Sequence, residues 1–461
     1  MKFVADLHLH SRYSRAVSQH MTLQNMAKWA KYKGISVIAS GDFTHPFWFE
    51  QLKGELEDAG NGLYKLKPLV VGSESQISNV YVLLSCEIAS IYSQGGKGRR
   101  IHTLFLFSNL ESVAKFNKEL LKRGSNLRSD GRPIVGIGSR DLAEIALSCD
   151  EKALIVPAHV WTPWFSLYGS FSGFDSIEEC FGDMSKYIYG VETGLSSDPA
   201  MNWQIADLDD RAILSFSDAH SLEKMGREAT VFEGEEISYE TIYQAVRGSK
   251  IQGQTLTGIS RSDLDSVDSN GKVAFTLEFY PEEGKYHFTG HRDCNYSQGP
   301  EKFSKDSNIC PVCNRPLTVG VMDRVEQLKS KPSKVRSEMK DGVFWSISSN
   351  GRPAFVSLVP LVEILAEATG AGANTKRVTD VYMNLVNSIG SEFSVLMKAT
   401  SADITRLAGS KVTEAIEKVR CGDIVIDPGF DGNFGVVKIW QESHDEIKEN
   451  DQAESQLNLF A

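Results

Sequence analysis

Over residues 1 to about 255, short apolar strands alternate with amphipathic helices, and no other feature constrains the chain as strongly. The pattern predicts strands at 2–7, 35–39, 79–86, 102–107, 153–157, 188–192 and 212–216, with helices at 22–33, 111–122, 139–148 and 238–247. Such alternation favours a parallel α/β architecture, either a barrel or a doubly wound sheet. In both, strand ends carry the chemistry. Five polar clusters fall at or just after a predicted strand: Asp6-Leu7-His8-Leu9-His10, Gly41-Asp42, Cys86-Glu87, Ala158-His159 and Ser217-Asp218-Ala219-His220.

The spacing His8-x-His10 puts two imidazoles on one face of an extended segment, because side chains repeat every two residues. Asp218-x-His220 repeats that arrangement. Glu87, His102 and His159 add a bridging carboxylate and two more imidazoles. Neutral imidazoles with carboxylates suit divalent ions such as Zn²⁺, Mn²⁺ or Fe²⁺. Two or three such ions, with Mg²⁺ a further candidate, would bind a phosphate and assist its hydrolysis. Any one histidine here reads equally well as an ordinary core or surface residue; the whole set does not.

Downstream the character changes. His291-x-x-Cys294 and Cys310-Pro-Val-Cys313 form two ligand pairs for one tetrahedral structural Zn²⁺, with His287 as a competing ligand. Residues 324–340 carry six Lys/Arg against two Glu and read as a basic linker. From about 359 to 419 the periodicity is helical, and 421–440 reads as a hairpin. The expected units are 1–257, an α/β unit bearing the strand-end ligands; 258–345, a zinc module with the linker; 346–440, a helical domain with the hairpin; and 441–461, a polar tail.

The formal charge of −11 speaks against a histone-like nucleic-acid binder, though not against every DNA substrate. Seven dilute cysteines exclude a disulfide framework, and no apolar run reaches the ~18–20 residues that span a bilayer. A cytoplasmic, nucleoid-associated protein without a membrane partner is expected.

The strand-end motifs resemble the polymerase-and-histidinol-phosphatase superfamily of metal-dependent phosphoesterases. That resemblance implies a distorted (β/α)7 barrel with two or three metals. By it, His8, His10, Glu87 and Asp218 would hold one ion and Glu87, His102 and His159 a second. His220, with Asp42 or His45, would help hold a third. The usual Thr-Asp-His is replaced here by Gly41-Asp42-Phe43-Thr44-His45. Asp218, Glu87, His220 and Asp42 carry the catalytic assignment.

The wider arrangement is similar to the endonuclease Q family, on the stretches Asp6-Leu-His-Leu-His-Ser-Arg-Tyr-Ser-Arg15, Ser40-Gly-Asp-Phe-Thr-His-Pro46, Val191-Glu-Thr-Gly-Leu-Ser-Ser-Asp-Pro199 and Gly290-His-Arg-Asp-Cys294. The resemblance implies cleavage of DNA on the 5′ side of deaminated bases and abasic sites. Trp161, Trp164, Ser196, Asn202 and Trp203 are expected to line a base pocket, and Arg324 and Lys331 to meet phosphates. Gln456-Leu457-Asn458-Leu459-Phe460 resembles the pentapeptide by which bacterial DNA enzymes dock on the sliding clamp. The alternative is a phosphatase or nucleotidase acting on a small substrate with the same metals.

Overall fold

A computed structural model describes residues 1–68, 79–248, 271–302, 308–332 and 335–441. The boundary expected near 257 and the clamp-like residues 456–460 lie outside the described residues. Through the first half the strands are β1 (Lys2–Asp6), β2 (Val37–Ala39), β3 (Leu56–Asp58), β4 (Tyr64–Leu66), β5 (Tyr81–Gln94), β6 (Lys97–Phe107), β7 (Ile134–Val135), β8 (Leu154–Pro157), β9 (Gly190–Glu192), β10 (Ala212–Leu214) and β11 (Ala229–Gly234). All seven expected strands are among them. Helices Leu23–Lys33, Leu110–Lys122, Ser139–Cys149 and Tyr239–Arg247 occupy the four expected positions. Thr22, Asn109 and Ser238 start three of these helices, each side chain accepting a backbone N–H from three residues on.

The purely parallel sheet is corrected. β1, β2 and β5 run parallel, as do β9 and β10. β6, however, is antiparallel to both β5 and β8. Only Gly95 and Gly96 separate β5 from β6, at φ 61° and 72°. Two residues can only reverse a chain, and two positive φ values give the turn whose twist matches a hairpin. The β5–β6 ladder therefore runs well past residues 86 and 102. Glu87 and His102 sit inside it, opposite Leu104 and Ala89 respectively, rather than at strand ends.

One buried cluster draws Ala5, Val37, Leu83, Leu104, Val156 and Leu214 from six strands into a shared interior. The chemistry sits at one end of that interior.

The remaining strands are β12 (Gly271–Glu278), β13 (Thr289–His291), β14 (Tyr296–Gln298), β15 (Val335–Lys340), β16 (Val343–Ser348), β17 (Ala354–Ser357), β18 (Val425–Asp427) and β19 (Val436–Lys438). β12 pairs with β11 and β17, and so extends the central sheet through β16 to β15. Residues 258–345 are thus not one separate module. The basic stretch is also no linker: it contains helix Val321–Leu328 and β15. The β18–β19 hairpin packs on the segment bearing the zinc-ligand candidates, where Asp431 accepts from Arg292 N at 2.7 Å and Thr318 Oγ1 at 2.5 Å. Five helices between Leu361 and Cys421 form the expected helical region. No described helix is long and apolar enough to cross a membrane.

Candidate metal centre

Beyond β1, Leu7 and Leu9 turn inward while His8 and His10 reach one pocket with Glu87 of β5 and Asp218 beyond β10. His10 Nε2 lies 3.2 Å from Asp218 Oδ1 and 3.3 Å from Glu87 Oε2, and His8 Nε2 lies 3.5 and 3.6 Å from the same atoms. Glu87 Oε1 faces the other way, 2.5 Å from His102 Nδ1 and 3.1 Å from His159 Nε2. Two ligand groups therefore share Glu87: His8, His10, Glu87 and Asp218, and Glu87, His102 and His159, each with its donor atoms within 4.8 Å of one another.

The far side of each imidazole is fixed. His8 Nδ1 bonds Glu192 Oε1 at 2.9 Å, and His10 Nδ1 bonds Asp42 Oδ1 at 3.0 Å. A carboxylate on Nδ1 holds the proton there and leaves Nε2 as a lone pair, as it does for metal-bound histidines. His8 Nε2, His10 Nε2 and Asp218 Oδ1 are then buried without a hydrogen-bond partner. Lone pairs converging on carboxylate oxygens in a buried pocket require a cation between them. The residues fit a divalent metal.

The carboxylates make the pocket favour positive charge, which a bound divalent ion supplies in place of a proton on His8. Burial disfavours the charged form of His8, but Glu192 and Asp218 outweigh it and raise its pKa well above the ordinary value. Burial likewise opposes ionisation of Glu87, yet His102 and Arg132 hold its carboxyl well below the usual range. Burial pushes His102 down to about 4, so near neutrality it presents the unprotonated ring that a metal takes. Asp42, His159 and Asp218 all adopt positive φ, at 49°, 32° and 46°. Strained backbone of this kind persists only where surroundings impose it.

Asp42 does not face the shared pocket. Its oxygens accept from His10 Nδ1, Ser11 N, Ser11 Oγ and Ser14 Oγ, so its capacity is spent on orienting His10. His45 stacks on Tyr13 at 4.6 Å and belongs to neither ligand group. His220 bonds the Asp218 carbonyl through Nδ1 at 2.9 Å and lies 4.7 Å, ring to ring, from His10.

Two residues escaped the site reading. Glu192, fully buried, bonds His8 and accepts from His159 N at 2.8 Å; its only signal was an acid ending an apolar strand. Arg132, on a loop with no motif to mark it, reaches Glu87 Oε2 at 3.1 Å.

The base-pocket expectations fare differently. Trp161 and Asn202 are buried and bond each other at 2.8 Å, and Trp203 is buried against Phe355. These three are interior packing instead of cleft walls. Trp164 stacks on Phe171 at 4.6 Å, and Ser196 is half-buried. Arg324 donates to Tyr168 O, Phe174 O and Asp175, fastening the 161–175 loop, and Lys331 pairs with Asp209. Neither cation points freely at solvent. His291, Cys294, Cys310 and Cys313 do converge within 4.8 Å of one another, while His287 is not in that group.

Fold and site define a class: an α/β protein whose central sheet carries a histidine–carboxylate centre shaped for divalent cations. Over nearly its whole length the chain is similar to solved endonuclease Q structures. One, the lesion-specific endonuclease PfuEndoQ from Pyrococcus furiosus, is 28% identical with a TM-score of 0.75, covering 97% of this chain and 99% of that one. Another, endonuclease Q in complex with a 27-mer duplex with an abasic lesion at the active site, is 29% identical with a TM-score of 0.76, covering 97% and 100%. Residues 360–423 match the family model described as the MJ0043 C-terminal domain. The protein MJ0043 of Methanocaldococcus jannaschii is 32% identical over 284 residues, 60% of this chain; the match spans 31% of that relative's length. YqxK of Bacillus subtilis is 27% identical over 453 residues, 95% of this chain and 99% of its own.

Proposed function

We propose that this protein is a metal-dependent DNA repair endonuclease of the endonuclease Q type, hydrolysing the phosphodiester 5′ to deaminated bases (hypoxanthine, uracil, xanthine) and abasic sites. The observation that carries the reading is the buried convergence of unpartnered His8, His10 and Asp218 atoms in a chain that matches such enzymes from end to end. A bacterial source, closure of the first-half strands as a distorted seven-stranded barrel, and nucleoid-associated cytoplasmic residence belong to the same reading.

Divalent ions held by the two Glu87-sharing groups would supply Lewis-acid polarisation and neutralise developing phosphate charge. The chain's own groups do the rest. Arg132 adds a fixed cation beside Glu87 for the phosphate. His220, with Nδ1–H donated to the Asp218 carbonyl, keeps Nε2 available to move a proton at the mouth. Glu192 and Asp42 hold the His8 and His10 rings in register. A zinc ion among His291, Cys294, Cys310 and Cys313 would have a folding role, since four protein ligands leave no open position. The tail 456–460 is read as a sliding-clamp motif that raises local concentration on DNA.

The test is nicking of duplexes carrying inosine, uracil, an abasic site or no lesion, with metal and with chelator, beside Asp218→Asn. Metal-dependent cuts confined to lesion strands and lost in the variant are expected. Faster hydrolysis of a phosphomonoester than of any lesion duplex would select the small-substrate phosphatase instead. In the same assay, added clamp should stimulate nicking only while residues 456–460 are present.

A further inference from the structure

Phe47 is 61% exposed on helix Pro46–Glu55, whose N-cap is His45. Single exposed apolar side chains are common and mean little by themselves. The position of this one is different. Tyr13 stacks on His45 at 4.6 Å and 24°, and His45 meets Phe47 at 5.8 Å. The three rings form a ladder from the loop after His10 out to solvent. Two guanidiniums flank it: Arg12 lies 5.4 Å from the Tyr13 ring and Arg128 lies 5.8 Å from the Phe47 ring.

The inner end of the ladder is tied to the metal centre. Asp42, which orients His10, is three residues before His45. Thr44 Oγ1 donates to Gly131 O at 3.2 Å, next to the Arg132 that reaches Glu87. Pro46 at the first helical position fixes the backbone beneath Phe47. Across the site, Trp164 and Phe171 lie face to face at 4° and cover one another, and Phe165 covers His102 at 4.7 Å. Phe171 is itself 51% exposed but has one face covered by Trp164, whereas Phe47 stands at the start of a helix with the Arg128 guanidinium on its flank.

We propose that Phe47 is a wedge, entering the base stack at a lesion and filling the space the damaged nucleotide leaves when it swings toward the metal centre. Arg12 and Arg128 take the neighbouring phosphates. The proposal rests on the DNA-repair reading above and adds to it the residue that opens the duplex. An apolar wedge offsets the cost of unstacking, and a lesion that is already unpaired needs none.

Single-turnover nicking of one lesion, placed in a paired duplex and in a single strand, separates the cases for wild type, Phe47→Ala and Phe47→Trp. Phe47→Ala should slow cutting of the paired lesion about 10- to 100-fold and that of the single strand by no more than about twofold, with Phe47→Trp restoring the paired rate. Equal loss on both substrates, or none on the paired one, overturns the wedge. Wild type that cuts only single strands overturns the wedge while leaving the nuclease reading standing. Wild type silent on every lesion removes that reading and the wedge with it.

Discussion

Carboxylates that never face the mouth do much of the work at this centre, and their cost shows in their protonation. Asp6, wholly buried, is pushed up to about 6 by burial while Ser217 and Gly226 bond it, tying the loop after β10 to β1. Glu278, also buried, lies 2.5 Å from Ser215 Oγ and 3.5 Å from Thr193 Oγ1. Burial pushes its carboxyl up to about 8, with Asp198 adding to the rise and Ser215 opposing it. The unfolded chain gives up that proton near the ordinary 4.5, whereas the folded chain keeps it to about 8. The folded state therefore binds the extra proton between those limits, so this contribution is complete below about pH 4.5 and is lost as pH rises through 8. A shift of that size corresponds to a few kcal/mol. Glu278→Gln should flatten the decline, matching wild type near pH 5 and exceeding it in thermal stability above pH 8. Melting curves across that range check it; parallel curves for the two proteins would show that Glu278 is not the group responsible.

At the scale of elements, short turns with enforced dihedrals aim the ligands. Gly194, just past β9, has φ 63°, and a Cβ there would lie 2.3 Å from the Cβ of His159. Gly194→Ala must push His159 away from Glu87 and His102. Displaced metal-site residues typically weaken metal affinity about 10- to 100-fold. Elemental analysis should show fewer metal equivalents retained and nicking should fall with them; unchanged metal content would mean that the β9 turn does not position His159. The elements that carry the centre were legible because period-2 spacing and apolar runs are local signals: all seven strands are found, and His8, His10 and Asp218 converge as their spacing suggests, whereas His220 joins neither ligand group. Losses occurred where position depends on distant partners. The outer half of the β5–β6 ladder, with Ser93, Gln94, Lys97 and Arg99, is polar and reads as loop, although Gly95-Gly96 announced the turn. Glu192 needs the fold to bring β9 beneath His8. Trp161 and Asn202 were misplaced because an aromatic run looks the same in a core as in a cleft.

On the scale of the whole molecule, the C-terminal helices are bolted to the central sheet's first helix by a buried ion pair. Lys33, at the end of helix Leu23–Lys33, lies 2.8 Å from Glu392 Oε2 at the start of helix Glu392–Met397, and both side chains are buried. Glu392 also accepts from Leu361 N at 3.0 Å and Tyr382 OH at 2.8 Å, so one carboxylate gathers three helices onto the α/β body. Because desolvating both charges offsets most of their attraction, the pair adds little net stability, and its value lies in fixing how the helices dock. Removing one partner is another matter, since it strands a buried charge. Lys33→Met should cost about 3–5 kcal/mol in denaturant unfolding. Adding Glu392→Gln should recover part of that loss, because the neutral amide no longer needs a cation; its oxygen still accepts from Leu361 N while its NH2 donates to the Tyr382 hydroxyl, which turns from donor to acceptor. The double variant must then cost less than the two single changes added together. If the costs simply add, Lys33 and Glu392 are not coupled, and the docking of the helical region on the sheet must be credited to the apolar contacts around Ile35, Phe393 and Leu396 alone.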